Sequence, residues 1–184
     1  MVTGRSRSSA RERLLDCAEA LISELGVQDL TLEGVAAAAG VTKGGLIYHF
    51  KTKDDLLGAL VERMMAQIGE RSRARAAARG DTPRALLQAL IDDTFDMPRK
   101  EKAVYTNLLA AISHYPHLLG PARGLFADIY GQLAKLGPHA GHAVALAAAL
   151  DGMMFLELLD FHHFTKSQRE AMRAALQELA KNLP

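Results

Sequence analysis

Residues 42–53, TKGGLIYHFKTK, bring together side chains that could hold a phosphate chain. Thr42, Tyr48 and His49 offer hydrogen-bond donors, and Lys43 and Lys53 offer ammonium groups. Donors of these kinds make most of the contacts between proteins and nucleic acid backbones. The stretch therefore indicates a surface that contacts nucleic acid.

Two adjacent glycines, Gly44 and Gly45, interrupt this stretch where a short helix is expected. Glycine in a helix interior costs about 1 kcal/mol relative to alanine. We therefore expect these glycines to provide clearance for a backbone or base that approaches closely.

An enzyme is the rival class, and the sequence supports it poorly. It has no nucleophile elbow and no glycine-rich phosphate loop. The acidic pairs Asp54-Asp55 and Asp92-Asp93 are adjacent in sequence, so their members point to different helix faces. The sequence favours a protein that is not an enzyme.

Metal binding also has little support. Cys17 is the only cysteine, and only His139 and His142 among the histidine pairs have a spacing that shares a helix face. We expect no metal and no cofactor.

The overall composition is that of an ordinary folded chain. It has 184 residues, of which 49% are hydrophobic, and a formal net charge of +1. An architectural DNA-binding protein would be more basic. The most apolar stretch, 143–150, is shorter than the roughly 20 residues of a membrane span. Together with the single cysteine, these features favour a cytoplasmic protein.

Strand patterns are almost absent, so the expected fold is all-α with about nine helices. We expect an N-terminal unit at 1–52 and a C-terminal helical unit at 53–184. The helices are predicted at about 9–25, 31–39, 42–49, 52–79, 82–95, 99–114, 121–136, 139–161 and 165–182.

The second and third helices form a helix-turn-helix pattern. Leu32, Val35 and Ala36 mark an apolar face, Gly40 suits a left-handed turn, and Leu46 with Phe50 buries the next helix. In this motif the second helix enters the major groove with its N-terminal residues toward the base edges.

The segment LTLEGVAAAAGVTKGGLIYHFKTKDDLLGALV resembles the DNA-binding region of the TetR family of transcriptional regulators. The resemblance covers roughly residues 9–60. One position departs from it, because the family often has an aromatic residue where this chain has Ile47.

The resemblance implies roles for single residues. Thr31 resembles the phosphate contact that opens the second helix. Four residues resemble the base-facing positions, and three resemble the clamps on the DNA backbone. The base-facing positions are Thr42, Lys43, Gly44 and Gly45, and the clamps are Tyr48, His49 and Lys53.

The resemblance also implies a C-terminal domain that binds a small-molecule effector and forms the homodimer. Candidate pocket residues are the aromatic and flexible side chains Met64, Phe95, Tyr105, His114, Phe126, Tyr130, Met154 and Phe155. Candidate dimer residues on the last two helices are Leu146, Leu150, Met153, Met172, Leu176 and Leu179. Two helices from each subunit would make a symmetric four-helix interface.

The expected function is a one-component repressor. It would bind palindromic operator DNA as a homodimer, and a small apolar or amphipathic ligand would release it. The alternatives left open are a ligand-dependent activator and an architectural DNA-binding protein.

Overall fold

The fold is a bundle of α-helices in a computed structural model that describes residues 9–111 and 114–183. Within these ranges there are nine α-helices and two short 3-10 turns at Pro116–Leu118 and Gly137–His139, and no strand. The all-α prediction is confirmed. The helices are α1 Ala10–Leu25, α2 Leu32–Ala38, α3 Lys43–Ile47, α4 Lys53–Ala77, α5 Pro83–Phe95, α6 Arg99–Ala111, α7 Leu119–Leu133, α8 Ala140–Leu158 and α9 Lys166–Lys181.

Hydroxyl caps determine where most of these helices begin. A serine or threonine side chain accepts a hydrogen bond from a backbone N–H in the first turn of six helices. Each such cap stabilises its helix by about 1 kcal/mol. Thr52 and Asp55 complete a reciprocal capping box at the start of α4. The capping residues are Ser9, Thr31, Thr42, Thr52, Thr82 and Thr165.

The first core cluster joins the N-terminal helices to the rest of the protein. It contains buried side chains of α1, α2, α3, the first half of α4, and α6. Leu15, Leu57 and Val104, from three of these helices, are 0–1% exposed. The proposed division between 1–52 and 53–184 therefore crosses one continuous hydrophobic cluster.

The second core cluster lies at the opposite end of α4. It contains Ala76 at the end of that helix together with side chains of α5, α7, α8 and α9. Because α4 contributes to both clusters, it connects the N-terminal helices to the C-terminal bundle.

The apolar segment around α8 is longer in the structure than the sequence pattern indicated. The segment Gly137–Leu158 is long and apolar enough to cross a membrane by length and composition, whereas the sequence drew attention only to 143–150. In this fold α8 packs against α5, α6, α7 and α9, so its apolar character belongs to a helical bundle.

Candidate functional site

The turn between α2 and α3 has the geometry expected of a helix-turn-helix. Gly40 adopts φ +66°, and this left-handed conformation is confirmed. The backbone N–H of Val41 donates to the carbonyl of Ala36 at 3.0 Å and closes the turn. The start of α3 is thereby fixed relative to α2.

Two threonines cap the helices of this motif and lie on its surface. The N–H of Gly34 donates to Thr31 Oγ1 at 3.0 Å, and the N–H of Gly45 donates to Thr42 Oγ1 at 3.1 Å. Each hydroxyl accepts in these bonds, so its own O–H proton is left to donate to an outside acceptor such as a phosphate oxygen.

Both glycines of α3 are exposed, and the fold does not require either of them. A Cβ atom at Gly44 would lie 3.9 Å from Thr42 Oγ1, and one at Gly45 would lie 3.4 Å from the same atom. These are ordinary van der Waals distances, so alanine would fit and would favour the helix. The absence of side chains at the start of α3 therefore leaves space outside the protein.

Lys43 has a partner that the sequence reasoning missed. Its Nζ lies 2.5 Å from Glu33 Oε1, and both side chains are more than half exposed. The hydrogen bond from Lys43 lowers the pKa of Glu33. Glu33 belongs to the first turn of α2, and only the crossing of the two helices brings it to Lys43. A contact between Lys43 and DNA would therefore replace this ion pair.

The end of α3 presents an exposed ring. Tyr48 is 85% exposed, and its ring meets that of the half-buried His49 edge to face at 5.1 Å. Ile47 beside them is 38% exposed. The side chains at 47 and 48 thus lie on the same open surface as the start of α3.

Lys53 was expected to contact the DNA backbone, but in this structure its ammonium group is hydrogen-bonded within the protein. Its Nζ donates to the carbonyl of Gln28 at 3.1 Å, between α1 and α2. Desolvation lowers the pKa of Lys53, although the carboxylates of Asp29 and Asp54 act in the opposite direction. Lys53 therefore fastens the start of α4 to the N-terminal helices.

A cavity of about 420 Å³ lies between α4, α5, α6, α7 and α8. Four of the candidate pocket residues line it, and most of the remaining wall is aliphatic or methionine. Its size is within the range of small-molecule sites. The four residues are Tyr105, Phe126, Met154 and Phe155.

The other four candidates lie elsewhere. Met64 is 5% exposed within the first core cluster. Phe95 packs on the second core cluster beneath the guanidinium groups of Arg169 and Arg173. His114 is exposed in the turn before Pro116–Leu118. For Met64 and Phe95 the reason is that helical spacing does not distinguish a cavity wall from a filled core.

Tyr130 is the fourth of these candidates, and it touches the cavity only through a neighbour. Its hydroxyl donates to Asp151 Oδ2 at 2.5 Å, and Asp151 lines the cavity. The first seventeen residues of α8 contain no other carboxylate. That isolated charge in an apolar helix was the sequence signal for this residue.

A second polar group on the cavity wall is fully paired. Arg71 donates to both carboxylate oxygens of Glu101, at 3.1 and 2.9 Å, and to Asp93 Oδ1 at 3.0 Å. Asp93 also accepts from Ser72 Oγ at 2.6 Å and pairs with Arg75 at 3.1 Å. The sequence reasoning did not identify this network, because its members come from three helices.

Three of the candidate dimer residues require correction. Leu146, Leu150 and Met153 are 2–5% exposed, so their side chains are already buried inside one protomer. Met172 and Leu176 are half-buried, whereas Leu179 is 57% exposed. Because α8 is apolar on nearly every face, its periodicity could not show which face meets its own core.

The opposite face of α8 is apolar and open. Apart from His142 near its start, its exposed residues recur at helical spacing along the whole helix and carry small or aliphatic side chains. They are Gly141, Ala145, Ala148, Ala149, Gly152 and Leu156.

Across residues 9–111 and 114–183, no group of three or more His, Cys, Asp or Glu side chains could hold a metal ion. The two candidate sites are the exposed surface of α2 and α3 and the cavity beside α4.

Two family models match the chain. The model described as bacterial regulatory proteins, tetR family, matches residues 14–60, and the one described as the tetracyclin repressor-like C-terminal domain matches residues 84–181. A relative from Serratia proteamaculans (strain 568), the HTH-type transcriptional regulator BetI, is 30% identical over 173 residues, which are 88% of this chain and 87% of the relative.

Solved structures show the same fold. The multidrug binding protein EbrR in complex with ethidium has a TM-score of 0.67 and 27% identity, over 96% of this chain and 99% of that one. A transcriptional regulator from Saccharomonospora viridis in complex with choline has a TM-score of 0.74 and 21% identity, over 96% and 97% of the two chains.

The matches cover both the helix-turn-helix and the C-terminal bundle, and the relatives are regulators rather than enzymes. The chain is a DNA-binding transcriptional regulator that belongs to the TetR family.

Proposed function

We propose that this regulator is a repressor, which binds an inverted-repeat operator as a homodimer and leaves it when a small apolar or amphipathic molecule fills the cavity. One observation carries the proposal: α4 is a single unbroken helix of 25 residues that reaches both sites. Lys53 at its start is bonded to the N-terminal helices, while Met65 and Arg71 further along line the cavity. The protein would work in the cytoplasm, where the chromosome lies.

The exposed groups around α3 support operator binding. Thr31 and Thr42 have O–H protons available for phosphate oxygens, and Tyr48 projects into solvent beside them. The clearance over Gly44 and Gly45 would let the start of α3 approach base edges. Lys43 would exchange Glu33 for a base or phosphate, because its ion pair is exposed and therefore weak.

Replacing Lys43 with alanine is expected to weaken operator binding by about 1–3 kcal/mol if the ammonium reads a guanine. Fluorescence anisotropy with a labelled duplex would measure the loss. Lys135→Ala is the matched control, because Lys135 is an exposed lysine beyond the end of α7. Unchanged affinity and sequence preference in Lys43→Ala would remove this residue from the DNA contacts.

The exposed apolar face of α8 supports a homodimer. Ala145, Ala149 and Gly152 lie on this face, and Leu179 of α9 is more than half exposed. Small residues on one side of a helix allow a second helix to approach closely. A second copy of the chain would cover these faces by a two-fold arrangement, and the dimer would place two recognition helices on two half-sites.

An ion cluster at Arg63 supports transmission from the cavity to the DNA-binding helices. This α4 residue has a side chain that is only 11% exposed, and it donates to Asp16 at 2.6 Å, Glu19 at 2.8 Å and Glu12 at 3.3 Å. All three carboxylates belong to α1. A shift of α4 would therefore carry α1 and the helix-turn-helix with it, and so change the distance between the two recognition helices of the dimer.

Release of the operator by a ligand is supported by the cavity and by the similarity of this chain to EbrR. EbrR, which is 27% identical to this chain, has been solved with ethidium bound. A ligand acts on DNA binding only through its different affinities for the two conformations. The coupling in such systems is typically 1–3 kcal/mol, or about 5- to 150-fold.

The test measures operator affinity with and without a compound that binds the cavity. We expect the compound to weaken operator binding by about 5- to 150-fold. In Ala122→Trp, whose new ring would occupy the cavity beside α7, the compound should no longer bind. A cavity ligand that leaves operator affinity unchanged, or that increases it, would contradict release from a repressor.

A further inference from the structure

The charges on the cavity wall are balanced with one exception. Arg71 and Asp93 are paired with each other, and Glu101 and Arg75 complete their network. Arg123 is exposed, so water can solvate its guanidinium group. The remaining charged group of the wall is Asp151.

Asp151 has a hydroxyl for a partner instead of a cation. Its Oδ2 accepts from Tyr130 at 2.5 Å, and no Lys, Arg or His in 9–111 or 114–183 forms an ion pair with it. The side chain is half-buried, and burial raises the pKa of Asp151 while the bond from Tyr130 acts in the opposite direction. A carboxylate removed from water without a counter-ion is costly, so a cation that entered the cavity would be stabilised there.

The rest of the wall suits a cation with an organic body. Tyr105, Phe126 and Phe155 supply aromatic rings around the same space. Aromatic faces attract ammonium groups as well as apolar surface. Of the two carboxylates on the wall, Asp93 is already paired with Arg71 and Arg75, so a small hydrated metal ion would find only Asp151. A ligand that fills about 420 Å³ therefore needs apolar groups of its own.

We propose that the cavity selects an organic cation, with Asp151 as its counter-charge and the aromatic side chains as its wall. This inference rests on the proposed function, since it specifies the charge of the molecule that would release the operator. Tyr130 would hold the carboxylate in place through its hydroxyl, and the exposed Arg123 would remain in solvent.

Ethidium, a fluorescent aromatic monocation, is the direct probe and is titrated into the DNA-free protein. Three compounds of similar size then compete with it: benzyltrimethylammonium, neutral 3-phenylpropan-1-ol and anionic 3-phenylpropionate. We expect the cation to displace ethidium at a concentration about 10- to 100-fold lower than the alcohol requires, the ratio typical of a hydrogen-bonded or paired charge. The carboxylate should compete least well.

Asp151→Asn is expected to weaken ethidium binding by the same 10- to 100-fold. Asparagine keeps an oxygen that can accept from Tyr130, so the variant should fold, and its thermal midpoint checks this. Asp151→Glu should retain most of the affinity. Asp128→Asn is the matched control, because Asp128 is exposed on α7 and lies outside the cavity lining.

Two results would overturn the inference: equal competition by the neutral or anionic compound, or unchanged ethidium affinity in a folded Asp151→Asn. The operator titration separates these failures from that of the proposed function. If the alcohol or the carboxylate releases the operator, ligand-induced release is supported and the charge preference is wrong. If benzyltrimethylammonium binds through Asp151 and operator affinity stays the same, the charge preference holds and the proposed release of the operator is wrong.

Discussion

Gly152→Glu should convert the proposed dimer into a monomer and weaken operator binding by about 100-fold or more. Loss of the second half-site removes the avidity of a linked pair, which is commonly 10²- to 10⁴-fold. Gly152 is exposed on α8, and a Cβ atom there would meet nothing within 4 Å inside the protomer. Glutamate also favours a helix over glycine by up to about 1 kcal/mol, so the monomer itself should fold.

The control for this variant is the same substitution at Gly124 on α7. Gly124 is also exposed and has open space around its would-be Cβ atom. Sedimentation equilibrium would give the oligomeric state, and anisotropy the operator affinity. A Gly152→Glu protein that remains a dimer, or a monomer that binds as tightly as the wild type, would show that this face of α8 is not the interface.

Leu57→Ala should lower the free energy of unfolding by about 2–5 kcal/mol, the cost of a cavity in a packed core. Leu57 is 0% exposed and belongs to the first core cluster, which α4 shares with the N-terminal helices. We expect the variant still to unfold in a single transition, because α4 also takes part in the second core cluster through Ala76.

Leu87→Ala provides the comparison from the second core cluster, since Leu87 of α5 is also 0% exposed. Denaturant unfolding followed by circular dichroism should show both variants shifting the same transition. Two separate transitions, each sensitive to only one substitution, would indicate that the N-terminal and C-terminal units fold independently and that α4 does not couple them.

The helix-turn-helix was predictable from sequence because its signals are local. The threonine caps at 31 and 42 and the left-handed Gly40 act within a few residues of themselves. The same holds for the start of α4, where Thr52 and Asp55 form their reciprocal bonds.

Contacts between distant segments were harder to predict. The Glu33–Lys43 pair depends on how α2 crosses α3, and the bond from Lys53 to Gln28 depends on where α4 meets the α1–α2 loop. In α8 the buried side of Leu150 and the open side of Gly152 look equally suitable in sequence. Only the packing of α8 against α5, α6, α7 and α9 distinguishes them.

Selection of DNA from a random duplex library tests the central claim most directly. The wild-type protein is incubated with the library, and the bound sequences are read after several rounds, with Lys43→Ala selected in parallel. We predict an inverted repeat whose half-site centres lie about 10 base pairs, or one helical turn, apart, and a weaker or altered half-site for Lys43→Ala. Enrichment of a single half-site, or of no sequence at all, would contradict a dimeric repressor that reads DNA through α3.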